Sequence, residues 1–398
     1  MVTRTSEIKA LDGNKAAAYG VLLCRPDVIA AYPITPQTPL LEALYRYHAD
    51  GRLDAEMVEV EGEHSAMSVL MGASACGGRT FTATSSQGLA YMFEAYFKAS
   101  GSRLPIVMGV ATRELAAPDG VSGAQQDVML VRDAGWIQVH AESAQEIMDT
   151  VVMAYRIAED PEILLPFSIC YDGFYLSHLT DRVELPLQED VDAFLAPVTG
   201  HPDRPRLDPK HPLTFSAYCL GDVLVEYRHK HCAAMQRAKA KIEEVEDEFE
   251  KRFGRSYGGL IEEYRSRDAE IVLVATGSCA GTAKVVVDQL RETGISIGLI
   301  KMRYMRPFPN ERLATALAGK KAIGVIDRSV HFGWNCGTVF MELKAVLGEM
   351  GARIPMANFI DGLAGMDITI QHIERAAEIT GRAARGETFQ QVTWFPLE

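Results

Sequence analysis

A chain of 398 residues is longer than one hydrophobic core usually grows, so two or more domains are expected. Its 47% hydrophobic and 23% charged residues suit a globular fold and exclude a disordered one. The formal net charge of -13, with no basic stripe, argues against nucleic acid as a partner, because phosphate contacts need clustered Lys and Arg.

No apolar run approaches the roughly 20 residues that span a bilayer. The opening segment, MVTRTSEIKALDGNK, has neither an apolar signal core nor an Arg-rich presequence, so the sequence predicts a cytoplasmic protein that meets no membrane. Cys24, Cys76, Cys170, Cys219, Cys232, Cys279 and Cys336 are scattered singly, with no CxxC. They read as reduced thiols, mostly buried, and the chain has no iron–sulfur motif of its own.

From Gly13 to about Asp172, helix-like stretches alternate with short apolar runs at Val28 to Tyr32, Glu56 to Val60, Arg79 to Thr84, Ile106 to Ala111, Ile137 to His140 and Ile163 to Cys170. This spacing predicts βα units around a mostly parallel sheet. The Pro- and Asp-rich stretch from Leu185 to Pro212 reads as an extended surface connector holding a domain boundary. After it, Met235, Ala238, Ile242, Val245, Phe249 and Phe253 recur at spacings of three and four up to Gly254. That periodicity predicts one long amphipathic helix with a solvated charged face. A second α/β pattern starts at Ala269. It has strands at Ile271 to Ala275, Ile297 to Met302 and Ala322 to Asp327, and a last helix from Ile370 to Thr380 stopped by Gly381. The expected division is 1–195, 196–267 and 268–398, a three-layer α/β domain, a connector with the long helix, and a smaller α/β domain.

GxGxxG after the first strand, the P-loop, GxSxG and HExxH are all absent, so nucleotide binding has no support. Three segments nevertheless fall at the C-terminal ends of predicted strands, where open α/β sheets place ligands. In Tyr32-Pro33-Ile34-Thr35-Pro36-Gln37-Thr38-Pro39, the prolines hold the loop out of helix and present the Thr35 hydroxyl. The same residues also suit a helix start, with Thr38 as N-cap and Pro39 in the first turn. In Glu59-Val60-Glu61-Gly62-Glu63-His64, Glu63 heads a small-residue helix. It reads either as a buried acid able to share a proton with a ligand nitrogen or as a first-turn acid favourable to the helix dipole. His64 reads as structural. The third segment pairs Thr84-Ser85-Ser86-Gln87-Gly88-Leu89 with Ala111-Thr112-Arg113. There Arg113 serves as a bidentate carboxylate clamp or as a surface ion-pair partner.

Taken together and in this order, YPITP, the carboxylate at the head of a small-residue helix, the TSSQGL turn and the strand-end Arg resemble the α subunit of the pyruvate:ferredoxin oxidoreductase (2-oxoacid:acceptor oxidoreductase) superfamily in its separate-subunit form. The resemblance continues through VATGSCAGTAKVVVDQLR, IKMRYMRPFP, VIDRSVHFG and FIDGLAGMDIT, so nearly the whole chain is covered. It implies a pyrimidine-binding thiamine diphosphate domain followed by a transketolase C-terminal-like domain. Glu63 matches the carboxylate that bonds the aminopyrimidine, favouring the imino tautomer that takes the C2 proton. Pro33, Ser86, Gln87 and Gly88 match cofactor-binding positions, and Thr35 and Arg113 match the positions that receive the substrate's keto and carboxylate groups.

The resemblance further implies a beta partner holding the diphosphate and Mg2+, so that this chain has no metal ligands of its own. Gamma and delta-type partners would carry 4Fe–4S clusters, coenzyme A would take the acyl group, and ferredoxin or a flavin/NAD module would take the electrons. Pyruvate is the substrate it favours. The small-residue stretch from Glu114 to Ala124 leaves room for phenylglyoxylate as the alternative, whereas oxalate would call for a second cation near the YPITP loop. A transketolase-like or dehydrogenase-type thiamine enzyme is disfavoured by the motif order. A catalytically silent scaffold is disfavoured by the presence of both Glu63 and Arg113.

Overall fold

The computed structural model describes residues 7–397. The first six residues of the N-terminal segment and Glu398 lie outside the described residues. Two sheets carry the molecule. The first has seven strands in the order Tyr304–Arg306, Ile137–His140, Phe167–Asp172, Val107–Thr112, Thr80–Thr84, Val28–Ala31, Glu56–Glu59. All its pairings are parallel except that of Tyr304–Arg306, which runs antiparallel to Ile137–His140. The central strands Thr80–Thr84, Val107–Thr112 and Phe167–Asp172 are buried at every position, as expected of strands covered by helices on both faces.

The second sheet has six strands in the order Val392–Trp394, Met356–Ile360, Ala322–Asp327, Ile271–Ala275, Ile297–Met302, Ile261–Tyr264. Only Ile261–Tyr264 is antiparallel to its neighbour. The mixed parallel α/β class is therefore as the sequence predicts. No helix among the described residues is long and apolar enough to cross a membrane.

Three local expectations need correction. Part of the stretch read as an extended connector is the helix Gln188–Leu195. It buries Val191, Phe194 and Leu195, with Phe194 edge-on to Phe249 and Phe253. The last helix runs Ile370–Ala384, straight through Gly381. A mid-helix glycine costs about 1 kcal/mol, but Ala376, Ala377, Thr380 and Ala383 continue the buried stripe across it, and Gly386 takes the left-handed position instead. The helix after the YPITP loop begins at Thr38 with Gln37 as its cap, one residue earlier than expected.

The long helix, Asp222–Phe253, ends at Gly254 in the left-handed conformation, where the sequence places its end. It is not a detached connector. Ala234, Ala238, Ile242, Val245 and Phe249 join the core that includes Leu22, Val151 and Phe167 of the first sheet's layers, each large side chain contributing roughly 1.5–3 kcal/mol by burial.

A buried charge cluster binds the second sheet to the first. Lys301 Nζ lies 2.7 Å from both Glu142 and Glu146, and Arg303 reaches Glu146 at 2.7 Å and Glu246 at 3.0 Å. Burial alone would raise the pKa of Glu146, but Lys301 and Arg303 outweigh it and hold the carboxyl down to about 2.

Candidate active site

At the C-terminal rim of the first sheet, Glu63 is the first residue of the helix Glu63–Ala75. Its side chain is buried at 7% exposure. Glu59 and Glu61, which share its alternating pattern, are exposed, and Ser65 donates to Glu61 at 2.5 Å. Burial raises the pKa of Glu63, offset in part by a hydrogen bond from its own backbone N–H. No other described residue donates to it. Gly88 presses against this carboxylate and against Thr84 Oγ1, and any Cβ at position 88 would collide with both. Thr84 Oγ1 is itself buried without a hydrogen-bond partner. His64 stands partly exposed, 3.8 Å from the Glu94 carboxylate.

Arg113 is joined directly to the YPITP loop. Its Nη1 donates to the Thr35 carbonyl at 2.8 Å and its Nε to the Gly120 carbonyl at 2.8 Å. The guanidinium thus lies against the Thr35 loop rather than in a surface ion pair. Thr35 and Pro33 are exposed. Below them, Pro36 O accepts from Asn14, which in turn accepts from Tyr171 Oη, and Gln37 Nε2 donates to Tyr32 O and Ala83 O.

Ser86 takes a positive φ of 48° at the start of the turn, and its hydroxyl reaches Gln87 Oε1 and Glu114 O. A residue missed by the sequence reading ties these pieces together. Asp127 Oδ2 accepts from Ser86 N at 2.9 Å and from Arg113 N at 3.0 Å, while Oδ1 accepts from Val128 N at 2.8 Å. Burial pushes the Asp127 pKa up to about 7 against the pull of these three N–H donors. The only signal was an acid among Gln125, Gln126 and Asp127 ahead of an apolar helix.

The residues singled out from sequence therefore form two linked groups. Thr35, Arg113 and Ser86 are connected through Asp127, and Gly88, two residues beyond Ser86, supports Glu63. What results is a rim bearing a buried acid with a raised pKa, a cation and an exposed loop hydroxyl.

Comparison with known proteins identifies the family. The family described as pyruvate flavodoxin/ferredoxin oxidoreductase, thiamine diphosphate-binding, matches residues 19–247. Pyruvate:ferredoxin oxidoreductase core domain II matches residues 269–373. The chain belongs to this family. It is 48% identical over 391 residues to the alpha subunit of NADH-dependent phenylglyoxylate dehydrogenase from Aromatoleum evansii, covering 96% of this chain and 93% of that one. It is 45% identical over 376 residues to the pyruvate synthase subunit PorA of Methanosarcina barkeri, covering 94% and 93%. Among solved structures, a 2-oxoglutarate:ferredoxin oxidoreductase from Magnetococcus marinus superposes with a TM-score of 0.72 at 18% identity, over 94% of this chain and 65% of that one. A split-gene transketolase superposes at 0.52 with 14% identity, over 92% and 96%. These two likenesses bear on the fold. The chain is thus an alpha subunit of the 2-oxoacid:acceptor oxidoreductase class.

Proposed function

We propose that this chain supplies the aminopyrimidine-facing side of a thiamine diphosphate site, in a complex that oxidatively decarboxylates a 2-oxoacid, pyruvate first, to its acyl-coenzyme A. The observation that carries this reading is Glu63, a buried acid that no other described residue neutralises, set against a glycine and an orphaned threonine hydroxyl. Such a surface fits a flat heterocycle that exchanges a proton with a carboxyl.

Bound thiamine diphosphate would supply the electron sink that loss of carbon dioxide requires. Glu63 holds a proton more readily than an exposed glutamate does, and shares it at its carboxyl oxygen with a ring nitrogen. Ser86, Gln87, Gly88 and Pro33 line the approach. Arg113, fixed by Thr35 O and Gly120 O, takes the substrate carboxylate, and the Thr35 hydroxyl takes the keto oxygen. This chain offers no diphosphate or cluster site in this reading, so a beta subunit with Mg2+ and gamma and delta-type subunits with 4Fe–4S clusters complete the enzyme. Ferredoxin or a flavin/NAD module receives the electrons.

Phenylglyoxylate is the second reading, favoured by the 48% identical relative. The test is viologen reduction by the complex purified anaerobically with its partners and coenzyme A, comparing pyruvate, phenylglyoxylate, 2-oxoglutarate and oxalate. Pyruvate turnover is expected. Turnover of phenylglyoxylate alone selects the second reading, and inactivity with all four in a complex with intact clusters and bound cofactor overturns the reaction assigned here.

A further inference from the structure

The loop that follows Arg113 is held from the second sheet's module. Ala364 N donates to the Glu114 carboxylate at 3.0 Å, Gly365 N to Gly123 O at 2.8 Å, and Gln125 N to Arg328 O at 2.9 Å. Gln125 Oε1 accepts from Thr276 Oγ1 at 2.8 Å.

The turn that makes the first two contacts has an unusual backbone. Gly362, Ala364 and Gly365 all have φ between 52° and 73°, and at Gly365 a Cβ would strike the Ser122 side chain. Two backbone N–H groups of the turn are thereby aimed at the loop. The same loop supplies the Gly120 carbonyl that fixes Arg113 Nε, and the Glu114 carbonyl that takes the Ser86 hydroxyl. A shift at Glu114 or Gly123 is thus transmitted through Gly120 to the Nε side of the Arg113 guanidinium.

We propose that Glu114 is a positioning residue through which the 362–365 turn of the second module sets the pose of Arg113, and hence the affinity for the 2-oxoacid carboxylate. This rests on the reading of Arg113 given above. Glu114 does not touch the substrate in this scheme. It acts by anchoring the loop whose Gly120 carbonyl orients the cation, so its loss falls on substrate binding rather than on the chemical step.

The experiment uses the assembled complex carrying Glu114→Ala, Glu114→Gln or Gly365→Ala, with two readouts: steady-state kinetics on the best 2-oxoacid, and calorimetric affinity for oxamate, an unreactive 2-oxoacid isostere. Glu114→Ala is expected to raise KM for the oxoacid and Kd for oxamate about tenfold, the effect of losing one charge-assisted hydrogen bond in a partly exposed place. The kcat at saturation and the KM for coenzyme A should stay within about twofold. Glu114→Gln, which keeps an acceptor oxygen, should recover most of the loss, and Gly365→Ala should reproduce it from the other side of the contact. Unchanged oxoacid KM and oxamate Kd in Glu114→Ala overturn the proposal, as does a loss of kcat that Gln does not restore. In either case a wild-type complex that turns over the acid leaves the proposed function standing. A wild-type complex inactive with every acid would instead bring down that function, and this inference with it.

Discussion

Two buried glutamates, one in the charge cluster around Lys301 and Arg303 and one at the rim of the first sheet, respond to burial in opposite ways. Glu146 sits at 1% exposure between Lys301 and Arg303, and its pKa falls to about 2. Glu63 sits at 7% exposure with no cation against it among the described residues, and its pKa moves the other way. Burial penalises the charged form in both, so the sign is decided by the neighbours alone. A fold that merely needed stability would pair or replace Glu63. On the function proposed above, its unpaired burial suits a group kept for a ligand.

The sharpest way to break this contrast is Glu63→Gln. In the assembled complex it should lower turnover about 10²–10⁴-fold, the usual reach of a positioned acid or base, and abolish exchange of the C2 proton of bound thiamine diphosphate followed by NMR. The variant should fold as well as wild type. The sign follows from linkage: a carboxyl whose folded pKa lies above its unfolded value stabilises only at low pH and loses that contribution as pH rises through the folded value. The thermal stability of Glu63→Gln relative to wild type should therefore improve from acid to neutral pH. Unchanged exchange would remove Glu63 from the chemistry.

Arg303→Met attacks the opposite pole. It leaves Glu146 and Glu246 each short of a buried partner and should cost about 3–5 kcal/mol of stability, read by denaturant unfolding, with little change in KM for any protein that remains folded. Because the folded pKa of Glu146 is depressed, the cluster's stability is present above about pH 4.5 and is lost as pH falls toward 2. The penalty of the substitution should shrink over that acid range. At the rim, Arg113→Met should raise KM for the 2-oxoacid about 10–100-fold, the effect of losing a charged contact. An unchanged KM would assign Arg113 to holding Thr35 alone.

A further change, Asp127→Asn, is expected to show in the pH dependence of stability. With a folded pKa of about 7 against an ordinary 3.8, Asp127 stabilises below about pH 4 and loses that contribution as pH rises to about 7. The substitution should flatten the stability profile in that window, measured as Tm against pH.

Much of this was legible because strand interiors and strand-end motifs are local. Ile137–His140, Ile271–Ala275, Ile297–Met302 and Ala322–Asp327 have the predicted bounds, since each is a short apolar run between turns. Glu63, Arg113 and Thr35 could be singled out because each lies within four residues of a strand's C-terminal end. Hidden from sequence were features set by distant partners. Asp127 acquires its meaning only when Ser86 N and Arg113 N converge on it, and Asn14 when Pro36 and Tyr171 do. Gly381 misled because a glycine that ends one helix is tolerated inside another whose buried stripe outlasts it. Strand Tyr304–Arg306 is too short to carry a period, and nothing in its residues says that it leaves its neighbours' sheet.

That strand has a consequence for how the chain comes into being. Tyr304 pairs with Val139, so during synthesis the outer edge of the first sheet at Ile137–His140 waits for its cover until the ribosome has made everything between them. At about 5–20 residues per second, the nascent protein spends many seconds with a bare strand edge, which is a template for pairing with another chain. Chaperone dependence and aggregation during overproduction should centre on that interval, and a chain truncated before Tyr304 should be the least soluble of its fragments.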